Sequence, residues 1–236
     1  MDRIEKIISQ NTNYSRSEIK KLILQRKVLI NTKIALLGQK INSEDQIFIN
    51  NQKLQINKNI YIMLNKPAGY LSANVDKKDK VILDLINDEI PKKDLNIWGR
   101  LDKDTEGLII LSNDGELGHK LLSPKNHIPK TYYVEVNSSL KSINVNIFKD
   151  GIEISNNVFV KGTISNIKEN SCLLTIYEGK FHQIKLMFSA IKMQVTYLKR
   201  VSFGPLNLDK NLQLGQYRFL SNEEINKLQK ISNKLK

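Results

Sequence analysis

Gly99-Arg100-Leu101-Asp102-Lys103-Asp104-Thr105-Glu106-Gly107-Leu108-Ile109-Ile110-Leu111-Ser112 sets three acids directly before an unbroken apolar run. A run this short, bounded by turn-forming residues, reads as a strand buried in a core. The segment thus holds carboxylates at the lip of that core, where desolvation and a neighbouring cation set their reactivity. Taken alone, paired carboxylates suit glycosidase-type acid and base catalysis or a divalent metal. The plain structural alternative is that all three acids solvate a loop. Oxygen ligands spaced over a twelve-residue loop with a central Gly and closing Glu are absent here, so an EF-hand type of metal site is not expected.

Toward the carboxyl end, Lys130-Thr131-Tyr132-Tyr133-Val134-Glu135-Val136 alternates as a strand, and residues 158–167, 173–177 and 195–201 read as further strands. Residues 181–191 have helical spacing, and Ser221-Asn222-Glu223-Glu224 is a capping box that opens a terminal helix. Toward the amino end, Tyr61-Ile62-Met63-Leu64 is a strand stopped by Asn65-Lys66-Pro67-Ala68-Gly69, and residues 81–86 form a short buried helix. Strands dominate and helices do not alternate strictly with them. That pattern predicts an α+β sheet domain rather than a doubly wound parallel one.

The first 58 residues have a different grammar. Ile4, Ile7 and Ile8 give one helix an apolar face, and Ser15-Arg16-Ser17-Glu18 caps a second helix that turns Ile19, Leu22 and Ile23 inward. Strands at 28–30 and 46–49 follow, and the polar residues 51–60 read as a linker. The outward side of the second helix and the turn after it carry Arg16, Lys20, Lys21, Arg26 and Lys27. Eleven Lys or Arg face five Asp or Glu in residues 1–58, a net +6 of the whole chain's +13. A field of that sign suits a polyanion, and nucleic acid fits better than a membrane because no apolar span of some twenty residues exists.

The amino terminus lacks a signal peptide's apolar core, so a cytoplasmic location is expected. Cys172 stands alone in an apolar stretch and reads as a buried strand residue. His119, His127 and His182 have no zinc-ligand spacing, and no metal is expected.

Four stretches, in order, resemble the RNA pseudouridine synthases. Gly99-Arg100-Leu101-Asp102, followed by Thr105, Gly107 and Leu108, is similar to that family's catalytic signature. Leu64-Asn65-Lys66-Pro67-Ala68-Gly69-Tyr70 resembles its first motif, Lys130-Thr131-Tyr132 its base-stacking tyrosine motif, and Glu178-Gly179-Lys180-Phe181-His182-Gln183-Ile184-Lys185 its third. The amino-terminal module resembles an S4 domain, and the whole chain is most similar to the RsuA-type rRNA branch, closest to its 16S small-subunit enzymes. The resemblance implies a small αα-β S4-like RNA-binding domain with linker over 1–58. It further implies a catalytic domain over 59–236, built on a mainly antiparallel sheet with flanking helices.

The same resemblance implies the roles. Asp102 is the essential carboxylate, Lys185 the cation that offsets its desolvation, and Tyr132 the ring on which a flipped uracil stacks. His182, Gln183 and Ile184 shape the pocket wall, and Arg100 reaches RNA phosphate or balances Asp104 or Glu106 in a loop salt bridge. Lys66 and Lys130 are expected to contact the RNA backbone. Leu186 stands where the branch often has a second basic residue, which leaves one RNA contact unfilled. Because pseudouridine is an isomer of uridine, no cofactor is expected. The expected partner is ribosomal RNA or an assembling subunit, met by a monomer. On the residues alone a non-catalytic assembly factor competes with the enzyme, but Asp102, Tyr132 and Lys185 are all present.

Overall fold

In the computed structural model, the apolar run of the acidic segment is a strand at the heart of a nine-stranded sheet. The structure describes residues 2–12, 14–42, 44–54, 59–92 and 94–234. The chain divides into two units, Met1–Lys58 and Asn59–Lys236.

In the first unit, helix α1 (Ile4–Asn11) and helix α2 (Arg16–Leu24) precede four short antiparallel strands: β1 (Val28–Ile30), β2 (Lys33–Ile34), β3 (Ile47–Ile49) and β4 (Gln52–Lys53). Their order in the sheet is β2-β1-β3-β4. The Ser15 hydroxyl accepts the Glu18 N–H and the Glu18 carboxylate accepts the Ser15 N–H, closing the capping box. Ile4, Ile8, Ile19, Ile23, Val28 and Ile47 fill the core of this unit. Arg16, Lys20, Lys21, Arg26 and Lys27 are all exposed, and none makes an ion pair among the described residues. The linker reading needs correction at its start. Gln52–Lys53 pairs with β3 and Leu54 packs on the core, whereas residues 55–58 lie outside the described residues.

The second unit is ordered by strands β5 (Tyr61–Lys66), β6 (Asn96–Trp98), β7 (Glu106–Ser112), β8 (Lys130–Val136), β9 (Ile152–Ser155), β10 (Val158–Val160), β11 (Gly162–Ser165), β12 (Ser171–Ile176), β13 (Val195–Phe203), β14 (Leu206–Asn207) and β15 (Tyr217–Phe219). Helices α3 (Gly115–Leu122), α4 (Gln183–Ala190) and α5 (Asn222–Lys234) flank the sheet. Its main path runs β11-β12-β8-β13-β7-β5-β15, with β14 on β13 and β6 on β7. Every pairing in it is antiparallel except β7 with β13, where Lys199 faces Glu106 and Arg200 faces Gly107.

Burial on both faces explains the unbroken apolar run. Alternate residues of a strand point to opposite sides. Ile109 and Leu111 join Ile62, Leu64, Val134, Leu174 and α4's Ile184, Met187 and Phe188 on one side, whereas Leu108 and Ile110 join Tyr61, Met63, Trp98, Leu117, Phe203 and Leu228 on the other. Strand β5 continues through Asn65 and Lys66, two residues past the apolar stop. Residues 158–167, read as one strand, are two: Lys161 separates β10, which pairs with β9, from β11, which joins the main sheet. Residues 82–85 form a 3-10 turn, and α4 starts at Gln183 because His182 adopts a left-handed backbone, φ 50°. Cys172 is buried, and burial pushes its thiol up to about 11.

Candidate active site

The loop 99–105 leads from β6 into the core strand β7 and is braced from three sides. Gly107, at φ +104°, lies so close to β13 that a Cβ there would sit 2.2 Å from the Arg200 carbonyl oxygen. This closeness admits the parallel pairing of β7 with β13. Arg200, only 1 % exposed, donates from Nε to the Leu108 carbonyl and from Nη2 to the Gly99 carbonyl, tying both ends of the acidic segment together. Ser72 donates to the Leu101 carbonyl and accepts the Leu101 N–H, and Gly69 N–H donates to the Lys103 carbonyl.

Lys66 supplies the third brace and overturns its sequence-based role. It is fully buried, and its ammonium donates to the carbonyls of Pro67, Asp102, Lys103 and Thr105 at 2.8–3.1 Å. Burial pulls this group down to about 8, against the opposing pull of Asp104, Glu106 and Asp102. A side chain sealed in this way cannot reach RNA phosphate. Lys130 is turned inward too: half-buried, it donates to the Ile128 carbonyl and lies 5.7 Å from the Phe203 ring centroid, with burial again lowering it to about 8. Neither lysine offers a free ammonium.

The loop delivers Asp102 to a recess of about 80 Å³, lined among others by Arg100, Thr105, Tyr132, Gln183, Ile184 and Lys185. The Asp102 carboxylate lies 3.4 Å from the Lys185 ammonium and 3.8 Å from His182 Nε2. Lys185 comes from the first turn of α4, and Tyr132 from the middle of β8. The alternation of β8 buries Tyr132 toward the recess and sends Tyr133 to the other face, where its hydroxyl donates to Glu135.

Lys185 is shared. Its hydrogen bonds go to both oxygens of Asp104, at 2.7 and 2.8 Å, shorter than its approach to Asp102. Burial tends to raise the Asp104 carboxyl, but the bonds and charge of Lys185 outweigh that and hold it below the ordinary carboxylate value. Sequence reasoning left Asp104 as a loop acid; its partner lies 81 residues away, with no local signal. Glu106 is elsewhere engaged, accepting the Tyr197 hydroxyl at 2.6 Å. Arg100 is exposed on the rim of the recess and makes no ion pair among the described residues, so the loop salt bridge is not formed. Phe181, an exposed side chain, stacks on His182 with centroids 3.8 Å apart.

A carboxylate held at a recess by a backbone cage, faced by an ammonium and walled by a buried tyrosine, is equipped to attack or deprotonate a planar ligand. Residues 60–190 match the RNA pseudouridylate synthase family, and residues 2–47 match the S4 domain family. This chain belongs to the RNA pseudouridylate synthase family. It is 37% identical to the uncharacterized RNA pseudouridine synthase YtzG of Bacillus subtilis, over 96% of this chain and 98% of that protein. The ribosomal small subunit pseudouridine synthase A of Haemophilus influenzae is 35% identical, with 97% and 100% covered. The ribosomal large subunit pseudouridine synthase B of Bacillus subtilis is 34% identical, with 98% and 97% covered. A solved structure described as a pseudouridylate synthase superposes with a TM-score of 0.69 at 33% identity, covering 97% of this chain and all of that one.

Proposed function

We propose that this chain converts one uridine of ribosomal RNA, in the 16S small-subunit molecule, to pseudouridine. Asp102 acts on the flipped nucleotide, Lys185 supplies the positive charge that a carboxylate withdrawn from water needs, and Tyr132 offers a π-face to the freed base. Arg100, His182, Gln183 and Ile184 complete the walls. Residues 59–236 carry the reaction. Residues 1–58 hold the RNA backbone through Arg16, Lys20, Lys21, Arg26 and Lys27, and the protein works as a cytoplasmic monomer. No helix among the described residues is long and apolar enough to cross a membrane.

The observation that carries this reading is the Asp102–Lys185 approach of 3.4 Å at a recess walled by Tyr132. The N-glycosidic bond breaks, the base turns, and a carbon–carbon bond joins it to the same sugar. Nothing is added or lost, so RNA mass is conserved. The small-subunit target is supported by the relatives named for that subunit. A large-subunit target is the second reading, favoured by the match to the synthase B of Bacillus subtilis.

Mapping pseudouridines in 16S and 23S RNA from a strain lacking the protein decides between them. Complementation with Asp102→Asn is expected to leave the site unmodified although the variant still binds RNA. A product with altered mass or an abasic site would refute the isomerase reading in favour of a hydrolase.

A further inference from the structure

Two residues that line the Asp102 recess each carry a buried side-chain atom with no hydrogen-bond partner among the described residues: Thr105 Oγ1 and Gln183 Nε2. Their residues are 1 % and 3 % exposed. Buried hydrogen-bonding groups are almost always satisfied, because an unmade bond forfeits the hydration given up on burial.

The rest of each residue is fully engaged. Thr105 N–H donates to the Asp102 carbonyl, and the Thr105 carbonyl accepts the Lys66 ammonium. Gln183 Oε1 accepts the Lys180 N–H at 2.9 Å, which fixes the amide orientation and identifies the amino group as the idle end. One idle atom is a donor, and the other donates or accepts. Both sit on rigid supports, the caged loop and the first turn of α4.

We propose that Gln183 Nε2 and Thr105 Oγ1 grip the polar edge of the flipped uracil, an inference that rests on the activity proposed above. That edge runs O4, N3–H, O2: acceptor, donor, acceptor. The amide amino group donates to one carbonyl oxygen, and the hydroxyl accepts N3–H or donates to the other carbonyl.

The symmetry of this edge suits an isomerisation. Turning the freed base about its N3–C6 axis exchanges N1 with C5 and O2 with O4, so the same edge is presented before and after. The two protein atoms therefore hold the base in both orientations without releasing it. Cytosine sets an amino donor where uracil has O4, so it opposes the Gln183 donor in the orientation that brings that position to the amide.

The test uses the full chain and two RNAs, one with uridine at the target and one abasic there. Thr105→Val keeps the shape and removes only the hydroxyl; Gln183→Met removes the amide. Each is expected to lower kcat/KM on the uridine RNA roughly ten- to hundredfold, the range for losing a buried hydrogen bond to substrate. Affinity for the abasic RNA is expected to be unchanged, and Thr105→Val is expected to melt no lower than wild type. Wild-type kcat/KM in Thr105→Val and Gln183→Met, or an equal loss of affinity for the abasic RNA, would overturn the assignment while leaving the activity intact. Failure of the wild-type protein to convert any rRNA uridine would instead overturn the activity and this assignment with it.

Discussion

Replacing Lys66 by Met keeps an unbranched buried side chain and deletes the ammonium that bonds the Pro67, Asp102, Lys103 and Thr105 carbonyls. Two opposing quantities set the result. Lowering of this group from 10.5 to about 8 means that its charge is held there at a cost. At 1.36 kcal/mol per unit that cost is about 3 kcal/mol. Three ammonium protons shared among the carbonyls, at about 1.5–3 kcal/mol for each charge-assisted bond, contribute about 4.5–9 kcal/mol. The difference predicts that Lys66→Met destabilises the protein by about 1–6 kcal/mol.

Because two of the released carbonyls belong to Asp102 and Lys103, kcat is expected to fall further than the folded fraction alone would require, with KM for RNA little changed. Denaturant unfolding and steady-state pseudouridine formation measure the two effects. Wild-type stability together with wild-type turnover would refute the cage argument. pH separates them further. Between about 8 and 10.5 the unfolded chain keeps the Lys66 proton that the folded chain has lost, so this group makes stability rise with pH across that window. Lys130 acts in the same direction. Turnover is expected to move the opposite way above about 8, as the ammonium becomes an amine with one N–H fewer.

Lys185→Met is expected to lower kcat roughly 10²- to 10⁴-fold, the usual span for removing a group that steadies reacting charge. Asp104→Asn should cost about tenfold or less in the same assay, because Lys185 then turns wholly to Asp102; equal losses in the two variants would refute that ranking. Gly107→Ala forces a Cβ to 2.2 Å from the Arg200 carbonyl oxygen at φ +104°. It is expected to cost about 3 kcal/mol or more, read as a large drop in thermal midpoint, and an unchanged midpoint would contradict the packing described for β7 and β13. If Lys20 and Arg26 each neutralise a phosphate, Lys20→Ala combined with Arg26→Ala should flatten the log K against log salt slope by about 1.4, at about 0.7 per phosphate on single-stranded RNA. An unchanged slope would remove those two side chains from the RNA-binding face.

Local chemistry made much of this protein legible in its sequence. The capping box at Ser15 reports itself because both of its bonds close within four residues. Alternation in β8 separated Tyr132 from Tyr133, and the unbroken apolar run of β7 announced burial on both faces. The ordered motifs brought Asp102, Tyr132 and Lys185 into one expectation, and the fold sets all three around one recess. Where a pattern carried no local cause, as in the break at Lys161, the reading ran two strands together.

The sequence by itself determined many of the longer strands and helices, where two capped helices begin, and which carboxylate to follow. Only the tertiary structure decided which cations face water. Lys66, Lys130 and Arg200 look no different in sequence from the exposed Lys20 or Arg26. A lysine turns inward only when a cage of carbonyls awaits it, and the Lys66 cage is built largely by residues 36–39 positions away. Sharing of Lys185 between Asp102 and Asp104, and the idle atoms of Thr105 and Gln183, have the same origin. They depend on backbone brought together by the parallel pairing of β7 with β13 and by the docking of α4, long-range events that no local pattern of residues encodes.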